Sequence, residues 1–353
     1  MLDQDLAARS ASLGRIYRDL GFEQLGRLEA WESVNSDPGD YSGHRLLADT
    51  YARLQRHEIA RASELLQSQL LQPLNLTPLQ PQLAETSLQI LEGAGPAEPS
   101  FNEFNPLFTR DRWTTQFSAI AGGQRTLSDE LTLASLSGRY SFSLGQFHYE
   151  TDGFRTNNDL EHNIYNAFAQ VAVSADTSLQ IEMSHRESFT GDLAQNFDPK
   201  TVDEVIRNEI FTETARVGIH HRLGVGDDLV ASVIYRDIDN DDFSSTTGVD
   251  GSTFINNGFS AAGTYSLEVQ HQRRHKRFNL ITGVGHLDQD RSLTRVIIFN
   301  DTVIPVSVPE VDAQHTNAYL YSNFHPLENL ITTLGVSYDA FDGEVLDLNR
   351  VNP

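Results

Sequence analysis

From Trp113 to about residue 340 the chain alternates apolar and polar side chains with a period of two, in one segment after another. Leu179, Ile181 and Met183 alternate with Gln180, Glu182 and Ser184, and Leu330, Thr332, Leu334, Val336 and Tyr338 alternate with Ile331, Thr333, Gly335, Ser337 and Asp339. The same holds for 229–236 and 259–270. Successive strand residues point to opposite faces, so this pattern describes strands lying between two different environments.

The connections sort by length. Short ones occur at 174–178, 223–227, 273–276 and 325–329, and long polar ones at 151–162, 188–207, 238–255 and 288–312, in strict alternation. An up-and-down membrane barrel is built this way, with tight turns on one rim and long loops on the other. Segments such as 164–174, 228–238 and 328–339 have the roughly 9–11 residues of a tilted membrane strand. The chain contains no run of about 18–20 apolar residues that would make a spanning helix, a test to which such barrels are blind.

Eleven strands are expected, at 113–121, 129–138, 140–151, 163–174, 178–188, 208–222, 228–238, 256–272, 277–288, 312–324 and 328–340. Bacterial barrels close with even numbers, so an odd count predicts that further strands complete this one beyond residue 353. Tyr149, Tyr235, Phe324 and Tyr338 end apolar faces and are candidates for an aromatic girdle. The side chains expected to line the lumen are Gln170, Gln180, Glu182, Arg216, Arg236, Glu268, Gln270 and Asn323.

Before residue 100 the period changes to that of helices. Leu13, Gly14, Tyr17 and Leu20 are matched 34 residues later by Leu47, Ala48, Tyr51 and Leu54, and Gly26 by Ala60. A 34-residue period with small residues between paired helices is the tetratricopeptide pattern. Gly21 marks the turn inside the first pair and Pro38 its end, and a trailing helix is expected at about 82–92. The breakers in Glu92-Gly-Ala-Gly-Pro-Ala-Glu-Pro-Ser-Phe-Asn-Glu-Phe-Asn-Pro106 stop any helix. The expected architecture is therefore α + β, with a tetratricopeptide-like helical domain at 1–95, a linker at 96–110 and an antiparallel up-and-down barrel at 111–353. Two repeats are fewer than such arrays need, so either more lie upstream or the barrel caps the stack.

Composition excludes several functions. With 26 basic and 49 acidic side chains the formal charge is −23, the wrong sign for a nucleic-acid binder. The absence of cysteine removes disulfides, thiolate metal sites and a cysteine nucleophile. Neither a Gly-x-Ser-x-Gly elbow, a Walker loop nor a dinucleotide fingerprint occurs, so no catalytic residue, enzyme activity or cofactor is assigned. Asp237, Asp239 and Asp241 are spaced like the start of a calcium loop, but Asp242 and Gly248 stand where that loop needs its glycine and glutamate, leaving a weak metal candidate in a solvated loop.

A helical-repeat region joined to a C-terminal barrel resembles the outer-membrane export porins for bacterial exopolysaccharides. Locally, Arg56-His-Glu-Ile-Ala-Arg-Ala-Ser-Glu-Leu-Leu-Gln-Ser-Gln-Leu-Leu-Gln-Pro73, Phe101-Asn-Glu-Phe-Asn-Pro-Leu-Phe108 and Gly145-Gln-Phe-His-Tyr-Glu-Thr-Asp-Gly-Phe-Arg-Thr-Asn-Asn-Asp159 look like bacterial tetratricopeptide proteins with large barrel regions. The resemblance implies a bacterial outer-membrane location with the helices in the periplasm. It also implies porin-like transport, export or assembly, or alternatively a non-conducting membrane-anchored scaffold; a soluble helical-plus-β binding protein is the third reading. Outer-membrane lipid is an expected partner. A periplasmic protein or peptide is expected to meet the repeat face at Tyr17, Arg18, Tyr51 and Arg53.

The alternation makes one direct prediction. Leu334→Arg, on the expected lipid face, impairs membrane assembly by about 2–4 kcal/mol at mid-depth. Ser337→Arg, on the other face, leaves assembly nearly intact in the same urea-refolding titration. Equal losses would remove the case for a two-sided wall.

Overall fold

The computed structural model describes residues 5–51, 58–74, 111–193, 202–247, 253–275, 277–300, 302–307, 311–327, 330–343 and 348–352. The expected linker at 96–110, the helix at 82–92 and Arg53 lie outside the described residues.

Among the described residues four helices come first: α1 (Leu6–Asp19), α2 (Glu23–Ser36), α3 (Tyr41–Tyr51) and α4 (Glu58–Leu71). Asp5 caps α1, its carboxylate accepting from the Ala8 amide at 3.1 Å. Gly21 ends α1 with φ +83°, and the amides of Gly21 and Phe22 return to the carbonyls of Arg18 and Tyr17 at 2.9 and 2.8 Å. That left-handed stop reverses the chain and satisfies carbonyls the helix leaves open. Gly14 and Gly26 then let α1 and α2 approach closely; a Cβ on Gly14 would sit 3.0 Å from the Gly26 carbonyl oxygen.

The second hairpin packs on the first through Ala11, Ala30, Leu46 and Leu47, with Val34 and Tyr51 alongside. Arg18 reaches across to Asp49 at 3.0 Å, and Asp49 is also paired with Arg45 at 3.2 Å. His44 joins α3 to α4. Its Nδ1 lies 2.5 Å from Glu64 Oε2 and its Nε2 2.8 Å from the Pro38 carbonyl. Both partners are acceptors, which only the doubly protonated ring satisfies.

Thirteen strands follow among the described residues: β1 (Arg112–Ala121), β2 (Leu127–Ser137), β3 (Tyr140–Thr151), β4 (Leu160–Ala172), β5 (Thr177–Thr190), β6 (Arg207–Gly224), β7 (Asp227–Thr247), β8 (Thr253–His275), β9 (Phe278–Phe299), β10 (Thr302–Ser307), β11 (Val311–Leu327), β12 (Leu330–Gly343) and β13 (Leu348–Asn352). They form one antiparallel sheet in the order β1 to β9, then β11, β12 and β13. β10 pairs with Thr294–Phe299 of β9 and β11 with Phe278–Arg291. The two therefore flank the upper and lower halves of the same neighbour. Among the described residues β1 and β13 are the two ends of the strand order.

All eleven expected strands are present, and β10 and β13 are additional. The expected loops at 238–255 and 288–312 are corrected: most of their residues extend β7, β8 and β9 to 21, 23 and 22 residues. Strands of that length exceed what a bilayer needs by about twofold. Their outer halves carry polar groups on both faces, as Asp237-Ile-Asp-Asn-Asp-Asp242 does, so period-2 alternation fades there while cross-strand hydrogen bonding continues.

The outward face is apolar near the short connections. Leu179, Ile181 and Met183 share it with Ile219, Val217 and Ala215 of β6, Leu229, Ala231 and Val233 of β7 and Val269 and Leu267 of β8. These side chains are largely bare; Leu334 on β12 is 65% exposed. A continuous exposed apolar band of this extent marks contact with lipid or another apolar surface. Farther along, the same face turns to Tyr165, His185, Tyr235 and Tyr265, and then to Glu187, Glu213, Asp237 and Asp239. The Tyr235 and Tyr265 rings lie 4.8 Å apart, and Tyr165 stacks on His185 at 6.4 Å. Of the proposed girdle residues, Tyr235 and Tyr338 are on this face at the far edge of the apolar band and Phe324 at the short-connection edge. Tyr149 is corrected to the opposite face, since it pairs with His162, which in turn pairs with Ser188.

The pKa of His44 is raised above its ordinary value: burial pulls it down, but the Glu64 charge and hydrogen bond, the Pro38 carbonyl and Asp40 outweigh that. A raised folded pKa stabilises the helices fully below about pH 6.5, and the contribution is lost as pH rises through the folded value. Thermal melts of the helical signal should therefore fall from pH 6 to pH 8.5, and His44→Gln should flatten that slope. An unchanged slope would show that His44 is not the titrating link.

Candidate functional site: the inner wall and its helical occupant

The inward face of the sheet is mainly polar, and near the short connections the helices lie against it. Gln170 and Gln180 oppose each other on β4 and β5 and are each 3% exposed. The Gln170 side-chain amide donates to the Gln72 carbonyl at 3.2 Å, and that of Gln180 donates to the Gln69 carbonyl. Asn279 on β9 donates to the carbonyls of Asn35 and Ser36 at 2.6 and 3.1 Å, and Asn323 on β11 donates to the Asn35 side chain at 3.2 Å. Gln69 and Gln72 are at the C-terminus of α4, and Asn35 and Ser36 at that of α2.

A helix leaves its last four carbonyls without partners and carries negative potential there. The wall supplies the missing donors from amide side chains, for two helices at once. Each such bond adds about 0.5–1.5 kcal/mol net, and losing one leaves a buried acceptor unsatisfied.

Around these bonds the contact is apolar. Leu66, Leu70 and Leu71 pack on Val230 and Ile234 of β7, and Leu74 on Ala134 and Leu136 of β2. Gly218 on β6 makes the approach possible, because the Leu70 side chain occupies the space a Cβ at 218 would take. At the rim, Arg274 pairs with Asp37 between the two hairpins, and His220 with Asp228 at 2.8 Å.

Deeper along the inward face runs a polar network. Glu182 faces Arg216 directly across β5 and β6 and forms an ion pair with it, while Asn166 donates to Glu182 at 2.8 Å. Tyr319 donates to Glu268 at 2.6 Å and accepts from Gln270 at 2.8 Å. Gln272 donates to Gln270 at 2.6 Å and to Gln67 of α4 at 3.1 Å. Arg236 opposes Thr214 and Thr264 in the same layer. The register thus places all eight residues expected to line a lumen on this one face. It divides them in two: Gln170, Gln180 and Asn323 hold helices, while Glu182, Arg216, Arg236, Glu268 and Gln270 lie in the strand-to-strand layer.

The repeat-face residues have other duties. Arg18 is 8% exposed and its guanidinium is bound to Asp49, so it ties α1 to α3. Tyr51 packs on the helical core and its hydroxyl accepts from the Trp31 indole at 3.0 Å. Tyr17 is half-buried on α1. Asp237, Asp239 and Asp241 are on a strand and face outward, opposite Glu213, Phe211 and Glu209; the expected loop is absent there. Among the described residues no group of three metal-capable side chains converges. An open groove of about 480 Å³ lies between Tyr165 and Tyr235 over Ala167, Met183 and Ala215, on the outward surface.

Sequence reasoning did not find Asn35, Gln67, Gln69, Gln72, Gly218, Gln272, Arg274 or Asn279 as a joint between the two halves. A signal existed: Gln170, Gln180, Gln272, Asn279 and Asn323 are inward amides within a few residues of short connections, where an empty mouth requires none.

No family model and no curated protein matches this chain. Solved structures do match its fold. The copper transporter OprC superposes with a TM-score of 0.55 at 11% identity over 69% of this chain and 40% of its own. The siderophore receptor PiuA from Acinetobacter baumannii gives 0.54 at 11% identity, over 69% and 45%. The ferripyoverdine receptor of the outer membrane of Pseudomonas aeruginosa gives 0.53 at 10%, over 69% and 38%. The sheet therefore has the fold of the wall of outer-membrane β-barrels, and the chain spans less than half the length of each of these proteins. The finer likeness to tetratricopeptide proteins and exopolysaccharide porins has no counterpart among these matches.

Gly218→Leu tests the joint between helices and wall. A side chain at 218 should displace Leu70 and weaken docking by about 1–3 kcal/mol. Limited proteolysis should cut α4 faster while the sheet still shows heat-modifiable migration. Unchanged cleavage would mean that α4 does not rest on β6.

Proposed function

We propose that this chain forms an outer-membrane β-barrel wall whose helical unit faces the periplasm, sits inside the mouth and receives a protein or peptide partner, the whole acting in transport or export. The observation that carries this reading is the difference between the two faces. An apolar outward band ending in tyrosines suits lipid, where backbone groups must be paired within the ladder. An inward face of Gln, Asn, Glu and Arg suits water or cargo at low cost, whereas the same groups facing lipid would prevent insertion. The likeness to receptor and transporter walls supports the same reading.

The short connections then form the periplasmic rim, and the long hairpins of β7, β8 and β9 stand outside. The helices lie across the inner face at that rim, so passage along the lumen requires them to shift. A second reading, a non-conducting anchor, draws on the same docking, since a mouth held by capped helix ends need never open.

Fractionation with planar-bilayer recording separates the readings. Recovery in the outer membrane with a boiling-dependent gel shift is expected, with small conductance in the parent and severalfold larger conductance in Gly218→Leu. A heat shift with no conductance in either protein would leave the anchor. Recovery as a detergent-independent soluble protein would overturn the wall itself.

A further inference from the structure

The groove over Met183 interrupts the outward face at the level where that face changes character. Its floor is Ala167, Met183 and Ala215, which stand in register on β4, β5 and β6. The two alanines leave the space, and the Tyr165 and Tyr235 rings wall it at opposite corners. Each ring is braced by a neighbour, Tyr165 by His185 at 6.4 Å and Tyr235 by Tyr265 at 4.8 Å. The walls are therefore in place before anything enters, and about 480 Å³ lies between them. Toward the short connections the floor runs on into Ile181 and Val217 of the apolar band.

In the other direction the next two outward rows hold His185, Glu187, Glu213, Asp237 and Asp239. Across those rows on β4 to β8, four carboxylates accompany one basic side chain, so the charge is negative whether or not His185 is protonated. His185 is shared between Glu187 at 3.1 Å and Glu213 at 3.4 Å. The Glu213 side chain lines the groove and is 69% exposed. The hydroxyls of Tyr165 and Tyr235 have no hydrogen-bond partner among the described residues. One groove thus combines an apolar floor, two unused donors and a carboxylate edge.

We propose that it binds a zwitterionic phospholipid with an ammonium headgroup, one acyl chain lying over Met183 and the headgroup at the acidic rows. The occupant has to be amphipathic, because the groove crosses from the apolar band into charged surface, and it continues the lipid-facing band. Tyrosines at that boundary sit at headgroup level, where their hydroxyls donate to phosphate oxygens. The ammonium meets Glu213 and Asp237. A headgroup with net negative charge and no ammonium is repelled by the same rows. The inference rests on the reading of this face as lipid-facing and names the class of lipid it selects.

The full chain is assembled in vesicles of phosphatidylethanolamine and phosphatidylglycerol, in equal amounts and with identical acyl chains. After extraction in mild detergent, native mass spectrometry counts the lipid retained. The parent should retain phosphatidylethanolamine over phosphatidylglycerol by at least about fivefold, and Ala215→Phe, which fills the floor, should cut retention by a similar factor. Glu213→Gln with Asp237→Asn should keep a bound lipid and bring the ratio toward one. Ala231→Phe, two rows away in the apolar band, should change neither. A parent ratio near one, or full retention in Ala215→Phe, would overturn the proposal. So would a preference for phosphatidylglycerol that appears with calcium, which assigns the acidic rows to a bridging cation. The heat-dependent gel shift is read on every sample. Its absence in the parent overturns the wall and the groove with it; its presence without lipid selection overturns the groove alone. The charge variant, at the groove's exposed edge, carries the test if Ala215→Phe fails to assemble.

Discussion

The ends of two helices depend on the wall. The last carbonyls of α2 and α4 have no partners in their own helices, and the amides of Asn279, Gln170 and Gln180 supply them. Remove the sheet and these acceptors return to water, while Leu66, Leu70 and Leu71 lose Val230. Remove the helices, and the sheet keeps its ladder but exposes that apolar patch on a mainly polar inner face. The dependence is therefore unequal: the wall positions the helices more than the helices support the wall.

The ladder itself follows a stricter rule. A wall in hydrocarbon must pair its backbone amides and carbonyls inside the structure, and antiparallel pairing does so between neighbouring strands from β1 to β13. Side chains are then free to specialise by face. Along β5, β6 and β7 the outward positions between the short-connection rim, where Thr177, His221 and Asp227 stand, and the tyrosines are Leu, Ile, Val, Met and Ala, and acidic groups return beyond the tyrosines. Glu182 and Arg216 can be charged in the same strands because they point the other way, where they satisfy each other. The excess of acid over base is spread along the whole chain, −6 in residues 1–100 and −17 in the rest, and in β7 it includes Asp237 to Asp242 of the polar hairpin.

Much of this was legible in the residues. Wherever the two faces meet different environments, alternation marks the strand, and all eleven such segments are present. It failed where that difference disappears. The outer halves of β7, β8 and β9 carry polar groups on both faces, so Asp237 to Asp242 read as a loop although hydrogen bonds continue through them. Tyr149 was assigned to the wrong face because aromatic rings suit either side of a strand near its end. The repeat predicted which small residues let helices approach, and Gly14 against Gly26 fulfils that. It also suggested that Arg18 was presented to a partner, since one helix's periodicity does not reveal that Asp49 waits on the next.

Local pattern, then, determined the eleven strand segments and their inward and outward residues, because each depends only on the neighbours along the chain and the medium on either side. Tertiary structure alone decided that the helices lie inside the sheet's short-connection rim. That placement depends on pairs such as Gln272 with Gln67, or Asn279 with Asn35, more than 200 residues apart. An amide on an inward strand position has the same sequence signature whether it faces water, cargo or the open end of a helix. Only the folded chain shows which carbonyl it meets.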